Sequence, residues 1–290
     1  MIRASLVQMD VKPLAPAENF ARMRAFVAAE AEAGSNLILF PELSNTGYVE
    51  PPAPGSPFVS NVPNYAAALV DASADPAGEE IGSLAALAEE KGVYIVAGLA
   101  LRDAVLAGVI RNSSLLIGPG GVLGRYDKVH QWQNEKLYFR PGERIDVFDM
   151  AATPLGMQIC YDIRFPEITR ILAMKGAQVV TSVWASFGRD GEPVADDGLF
   201  IHRVYTRAAE NGIFFLSCNR AGVHGNFRFF GRSCAAGPDG TILGALDHDR
   251  EDVLRVDIDL SRIATYRGFT GIWADRAPHV YAKALAEETR

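Results

Sequence analysis

A cysteine, a glutamate and a lysine lie at points of this chain where reactive side chains are commonly placed. The cysteine sits within Gly156-Met-Gln-Ile-Cys-Tyr-Asp-Ile-Arg-Phe-Pro-Glu167. Residues 154–159 are short, apolar and uncharged, which predicts a buried strand. The run from Phe165 predicts a helix, with Pro166 in the first turn, Glu167 at the positive end and Gly176 as the stop. Cys160 therefore stands at a strand end just before a helix. Peptide dipoles there would lower its thiol pKa, and the thiolate is the nucleophile. The blander reading is a small buried hydrophobe, as most free cysteines are. Glu42 follows the short strand 36–40 through Pro41, and Lys128 ends the strand 122–127. In open α/β sheets, ligand chemistry gathers at such strand ends.

The elements that must position these residues can be read from periodicity. Residues 2–9 form a strand, and 18–33 form a helix with Phe20, Met23, Phe26, Val27 and Ala31 on one face and Gly34 as its stop. Residues 47–76 are irregular and rich in proline, apart from a short helix at 65–72, and read as a surface excursion bordering the site. A helix at 79–91 precedes strands at 93–100 and 112–118, and Pro119-Gly-Gly121 turns the chain into a hairpin. Strand 178–184, a polar loop at 188–198, helix 199–210 and strand 213–218 follow. A hairpin across Pro238-Asp-Gly240 and a strand at 253–258 end the pattern. Strands alternate with helices but include hairpins, so a layered α/β protein with a mixed sheet or two sheets is expected. No linker, repeat or low-complexity stretch appears. Residues 1–290 read as a single domain, with about 270–290 as a C-terminal tail.

Composition narrows the class. The chain has 290 residues, 49% hydrophobic and 22% charged, enough for a large core. A net charge of −7 without any basic run argues against nucleic acid. Three widely spaced cysteines and five histidines give neither a disulfide framework nor a metal-ligand pattern, so no metal or cofactor is expected. Met1-Ile-Arg-Ala leads straight into a strand, and no apolar stretch is long enough to span a bilayer. A soluble, cytoplasmic protein without a membrane partner is the expectation.

Three motifs then come together. Phe40-Pro-Glu-Leu43 with Thr46-Gly-Tyr48, Tyr126-Asp-Lys-Val-His130, and Ile159-Cys-Tyr-Asp-Ile-Arg-Phe-Pro-Glu167 resemble the nitrilase superfamily, the carbon–nitrogen hydrolases. The likeness runs from Met1 to about Asp259. It implies a four-layer αββα sandwich and a catalytic Glu-Lys-Cys set, which maps here to Glu42, Lys128 and Cys160. A second glutamate often assists, and Glu135 is its counterpart, because Glu-Lys-Leu-Tyr-Phe-Arg-Pro-Gly runs into the usual Pro-Gly turn. Glu143, just beyond that turn, reads as a surface charge. The resemblance also implies dimers whose sandwiches pack side by side in eight layers. The segment after Cys160 and residues 277–285 are the contact regions it suggests, and Pro278, Val280 and Tyr281 put apolar groups on a charged tail.

The implied set makes chemical sense. Amide hydrolysis by a thiol needs a base for the nucleophile and a donor aimed at the developing oxyanion. Glu42 would take the Cys160 proton and return it to the leaving amine. Lys128 and the Tyr161 N–H would hold the oxyanion, and Glu135 would keep Lys128 charged in an enclosed pocket. Outside this context, Glu42 and Lys128 would read as an ordinary salt bridge. Tyr48 and Trp184 are candidates for lining a small-molecule amide pocket, with a place in the core as the equal alternative, and Asn219 and Arg220 are candidates for its rim. Cys218 and Cys234 read as core, His130 as support for the Lys128 strand end, and Asp162 with Arg164 as a local ion pair. Gln131 departs from the leucine usual in the family. Tyr161-Asp162 after the nucleophile, where true nitrilases have Trp-Glu, favours an amidase releasing ammonia through a Cys thioester. An N-carbamoyl amidohydrolase is the alternative, then a nitrilase, and last a silent binding or scaffold member.

Overall fold

The computed structural model describes residues 1–48, 65–189, 199–225 and 227–288. Its strands are β1 (Ile2–Gln8), β2 (Leu37–Phe40), β3 (Tyr94–Arg102), β4 (Ile110–Gly118), β5 (Gly121–Asp127), β6 (Val147–Met150), β7 (Thr153–Ile159) and β8 (Val179–Trp184), then β9 (Phe187–Arg189), β10 (Phe214–Asn219), β11 (Val223–His224), β12 (Phe227–Phe229), β13 (Cys234–Ala236), β14 (Ile242–Ala245) and β15 (Asp252–Ile258). The helices are α1 (Pro16–Glu32), α2 (Tyr65–Ala72), α3 (Glu79–Lys91), α4 (Pro166–Met174), α5 (Leu199–Asn211), α6 (Ser261–Thr270) and α7 (Pro278–Glu288).

Two mixed six-stranded sheets carry the fold, ordered β15-β1-β2-β3-β4-β5 and β14-β13-β10-β8-β7-β6. In each, three neighbouring strands run parallel: β1, β2 and β3 in the first, and β7, β8 and β10 in the second. The sheets pack face to face. Leu6, Leu39, Val96 and Leu116 from one meet Met157, Ile159, Val183 and Leu216 from the other in a shared core. The outer face of the first sheet is covered by α1 and α3 through Phe20, Met23, Val27, Ile81 and Leu84. The outer face of the second is covered by α4 and α5 through Ile168, Leu172, Phe200 and Val204. The result is the four-layer αββα sandwich that the motifs imply. The helical face expected on α1 is buried at Phe20, Met23 and Val27, because an apolar residue every third or fourth position forms one stripe.

Three features differ from the reading of the sequence. A small sheet, β11-β12-β9, forms beside the sandwich, and β9 runs from Phe187 into the segment expected to be loop. Its strands are two or three residues long, too short to show a period. The rest of the expected polar loop, 190–198, and residues 49–64 of the proline-rich excursion lie outside the described residues. The stretch read as a tail contains α7, and Trp273 fastens the chain before it: its Nε1 donates to the Asn211 carbonyl at 3.2 Å, and Arg170, Arg267 and Arg276 lie over its ring.

Candidate active site

The carboxyl ends of β2, β5 and β7 converge at one edge of the space between the sheets. After β2 the chain turns at Pro41 and Glu42, and Leu43 takes a left-handed φ of 54°. Ser44 closes the turn by donating its Oγ to the Pro41 carbonyl and its amide to the Gly98 carbonyl, both at 2.7 Å. Gly98 is what lets β3 pass under this turn. A Cβ there would lie 2.4 Å from the Pro41 carbonyl oxygen and 2.6 Å from Glu42 Cα. That glycine was a usable signal in the sequence, since a glycine inside a strand marks close backbone approach.

Lys128 leaves the end of β5 with its amide donating to the Asn112 carbonyl and its own carbonyl accepting from Gly142 and from Gln131 Nε2, each at 2.8 Å. Gln131, which the family pattern would make leucine, thus packs by hydrogen bonding to this strand end. A single 3₁₀ turn, Gln133–Leu137, brings Glu135 back over Lys128. The Glu135 carboxylate also accepts the Trp132 amide at 3.1 Å, which fixes its direction.

Glu42, Lys128 and Glu135 therefore form one buried cluster. Lys128 Nζ lies 2.7 Å from Glu42 Oε1, and 2.9 Å and 2.8 Å from the two Glu135 oxygens. Glu42 Oε1 also accepts Asn112 Nδ2 at 2.7 Å, and Glu42 Oε2 accepts the Ala185 amide at 2.9 Å. Burial alone would pull the Lys128 ammonium down. The Glu135 and Glu42 carboxylates, with Cys160, more than offset it and raise the group above its ordinary value. The Glu135 carboxyl is pushed up to about 7 by burial, with Lys128 opposing and Glu42 adding to the rise. One cation among two buried carboxylates leaves an excess of negative charge, so holding a proton is favoured over a second full anion.

Cys160 follows β7 in a left-handed conformation, φ 44°, and opens a 3₁₀ turn over Cys160–Arg164. A non-glycine residue held there costs on the order of 1–3 kcal/mol. Burial chiefly, then Glu42, push its thiol above the ordinary value, against the pull of Lys128. The depressed thiol expected from the sequence is thus corrected. The helix proper begins only at Pro166, so its dipole does not reach the sulfur, while two carboxylates do. Ser186 Oγ is 3.8 Å from the sulfur.

The turn is held from below by Asp162, which is fully buried. Its Oδ2 accepts the Tyr126 hydroxyl at 2.7 Å and the Ile159 amide at 3.1 Å. Its Oδ1 accepts the His130 amide at 3.0 Å and lies 2.9 Å from His130 Nδ1. The Asp162–Arg164 pair expected from the sequence does not form. The guanidinium of Arg164 lies over the Trp132 and Tyr161 rings instead. Asp162 ties the Cys160 turn to the Lys128 strand end, a link across 32 residues between Asp162 and His130 that spacing alone does not reveal.

The remaining sequence candidates divide. Tyr161 is partly exposed and packs edge-on against Trp132 and Phe165, with ring centroids 4.6 and 5.3 Å away. Tyr48 is buried with Ala185, Phe187 and Phe229 in a small cluster next to the Glu42 turn. The Trp184 ring packs against Phe200 on the helix-covered face of the second sheet, because position 184 shares the parity of Val180 along β8. It is a core ring, in the cluster against which Cys160 also packs. Trp184 serves the site through its carbonyl, which accepts the Glu42 and Arg220 amides. Arg220 is wholly buried rather than at a rim, and Glu143 is exposed. Asn112, Ala185 and Ser186 are site residues that the sequence did not disclose. Among the described residues, no group of His, Cys, Asp and Glu could hold a metal ion, and no helix is long and apolar enough to cross a membrane.

A sandwich of this topology with a cysteine, a lysine and a glutamate at its strand ends and a second glutamate on a 3₁₀ turn defines a class of thiol hydrolases. The carbon-nitrogen hydrolase family model matches residues 3–268, and the chain belongs to that family. A nitrilase of Pyrococcus abyssi is 31% identical over 97% of this chain and 99% of its own length. An N-carbamoylputrescine amidase of Solanum lycopersicum is 32% identical over 92% of this chain and 89% of its own. The amidase of Nesterenkonia sp. AN1, in a form carrying an acrylamide adduct on its active-site cysteine, superposes with a TM-score of 0.75 at 27% identity, covering 98% of this chain and 99% of that one.

Proposed function

We propose that this carbon–nitrogen hydrolase is an amidase that releases ammonia from small linear carboxamides through a thioester on Cys160. The observation that carries this reading is Lys128 held between Glu42 and Glu135 beside a thiol kept protonated by its surroundings. Such a thiol needs a base to take its proton before it becomes strongly nucleophilic. Cys160 Sγ then attacks the carbonyl carbon as its proton passes to Glu42. The developing oxyanion takes hydrogen bonds from Lys128 Nζ and the Tyr161 N–H. Glu42 hands the proton to the leaving nitrogen, ammonia departs, and a thioester remains. Water attacks next, giving its proton to Glu42, and collapse expels the Cys160 sulfur, which regains that proton. Glu135 keeps Lys128 charged throughout.

The Tyr161-Asp162 pair after the nucleophile supports an amidase over a nitrilase, and Asp162 itself serves the turn. All four acceptor positions of its carboxylate are occupied when His130 Nδ1 carries the proton, so it holds the turn and has no capacity left for a reacting group. A panel of simple amides, N-carbamoyl amino acids and nitriles, read as ammonia release, tests the assignment. The expected result is a kcat/KM for amides at least about tenfold above the other two classes. Preference for a nitrile or an N-carbamoyl compound would overturn it.

The same reading includes a homodimer working in a reducing compartment. Val280, Tyr281 and Leu285 on α7 are 54%, 45% and 62% exposed, an apolar face that a partner would cover, and all three cysteines are free thiols. Sedimentation that finds only monomer at micromolar concentration would remove the dimer.

A further inference from the structure

Asn112 lies on β4, a strand that none of the three motifs includes, yet it is fully buried and grips both partners of the central ion pair. Its side-chain Nδ2 donates to Glu42 Oε1 at 2.7 Å, and its main-chain carbonyl accepts the Lys128 amide at 2.8 Å. The amide orientation is fixed by chemistry, since a carboxylate oxygen can only accept. The other end of that amide is unusual. Asn112 Oδ1 is buried with no hydrogen-bond partner. Leaving such an acceptor unsatisfied disfavours the fold, whereas an apolar side chain of similar shape would not. A purely structural position would not favour asparagine.

What the residue does follows from the lone pairs of Glu42. Each carboxylate oxygen offers about two acceptor sites. Both on Oε1 are filled, by Lys128 Nζ and Asn112 Nδ2, while Oε2 holds only the Ala185 amide. One site remains for a moving proton, and it is on Oε2. We propose that Asn112 is a positioning residue that closes Oε1 and reserves Oε2 of Glu42 for proton transfer with Cys160 and the leaving nitrogen. This rests on the reading of Glu42 as the base. Without Asn112 the carboxylate keeps one donor fewer on its charged form and has two oxygens open, so the proton is held more readily and in more than one place.

Asn112→Leu and Asn112→Ala both remove the donor, the first keeping most of the side-chain volume and the second deleting it, and Glu42→Gln is the reference. The measurements are kcat and KM against pH, the pH dependence of Cys160 alkylation by iodoacetamide, and thermal denaturation. In both Asn112 variants kcat is expected to fall at least about tenfold with KM within about threefold, and the acid limb of kcat/KM to move to higher pH. In a Glu42→Gln background, adding Asn112→Leu should leave the alkylation profile unchanged, because the residue acts through Glu42. Folded variants with the wild-type acid limb would overturn the proposal. So would failure of both variants to fold, which would assign Asn112 to the fold alone. If Glu42→Gln keeps full turnover, the reading of Glu42 as base is what fails. If it is inactive while the Asn112 variants behave as wild type, only the role of Asn112 fails.

Discussion

Two charge clusters stand at the same end of the sandwich, one wholly buried and one partly solvated, and they are built differently. The first is Glu42, Lys128 and Glu135. The second gathers Asp10 after β1, Arg220 after β10, His224 on β11 and Lys12. Arg220 is as buried as Lys128, but its protons end on the main-chain carbonyls of Val11 and Tyr48 and against His224, and its guanidinium lies 3.8 Å from the Phe229 ring centroid. Those contacts tie three loops together. Lys128 ends on two carboxylates instead, one of which keeps an open acceptor site. A buried cation that satisfies backbone holds chain segments in place. One that satisfies side-chain acids can support a charge that appears and disappears.

The comparison is broken or upheld most sharply at the sulfur. Cys160→Ala should lower turnover at least about ten-thousandfold on folded protein, the scale of removing a covalent nucleophile. Iodoacetamide followed by mass spectrometry should modify Cys160, which keeps some exposed surface, ahead of Cys218 and Cys234, which are fully buried. Labelling of either buried cysteine first, with Cys160 inert in active enzyme, would remove the thioester mechanism.

A smaller effect separates the two glutamates after Lys128. Glu135→Gln leaves Lys128 one carboxylate short and should lower kcat at least about a hundredfold, whereas Glu143→Gln, on the surface, should be nearly neutral. Because the Glu135 carboxyl is held up at about 7, the active, ionised form is lost as pH falls through neutrality. The acid limb of kcat/KM should therefore lie near pH 7 and belong to the coupled carboxylates as a pair. Glutamine imitates the protonated form, so that limb should flatten in the variant. Equal activity in the two variants would show that Glu135 does not support Lys128 in the reaction.

The parts of this site legible in the sequence are those whose local pattern determines them. Glu42 and Cys160 each follow a short, mostly apolar strand and Lys128 ends the return strand of a hairpin, and strand ends can be counted along a chain. Asn112 and Ala185 reach Glu42 across 70 and 143 residues, through sheet order and packing that no local period encodes. The direction of the Cys160 shift was misread for the same reason. Local sequence offered a helix dipole, while tertiary contact supplied burial and two carboxylates. The choice between pocket and core for Trp184 is not legible locally either, since β8 is buried on both faces and alternation along it has no solvent side to mark.

The smallest expected effect tests the structural cluster directly. Asp10 Oδ2 lies 3.0 Å from Lys12 Nζ, and His224 Nε2 is 3.4 Å from Oδ1. Burial works to raise its carboxyl, but His224 and Lys12 outweigh it and hold it at about 2. An ordinary aspartate titrates near 3.9 in the unfolded chain. The folded state thus binds fewer protons between those two values, and the stabilisation is complete above about pH 4 and lost as pH falls through about 2. Full linkage would amount to about 2.5 kcal/mol, and partial solvation of Asp10 reduces that to about 1 kcal/mol. Asp10→Asn should therefore lower the unfolding free energy from urea denaturation at pH 7 by about that amount, narrow the difference from wild type by pH 2, and leave kcat within about threefold. A variant with unchanged stability and lost turnover would place Asp10 in the reaction, and the distinction between a cluster that ties loops and one that moves protons would not hold.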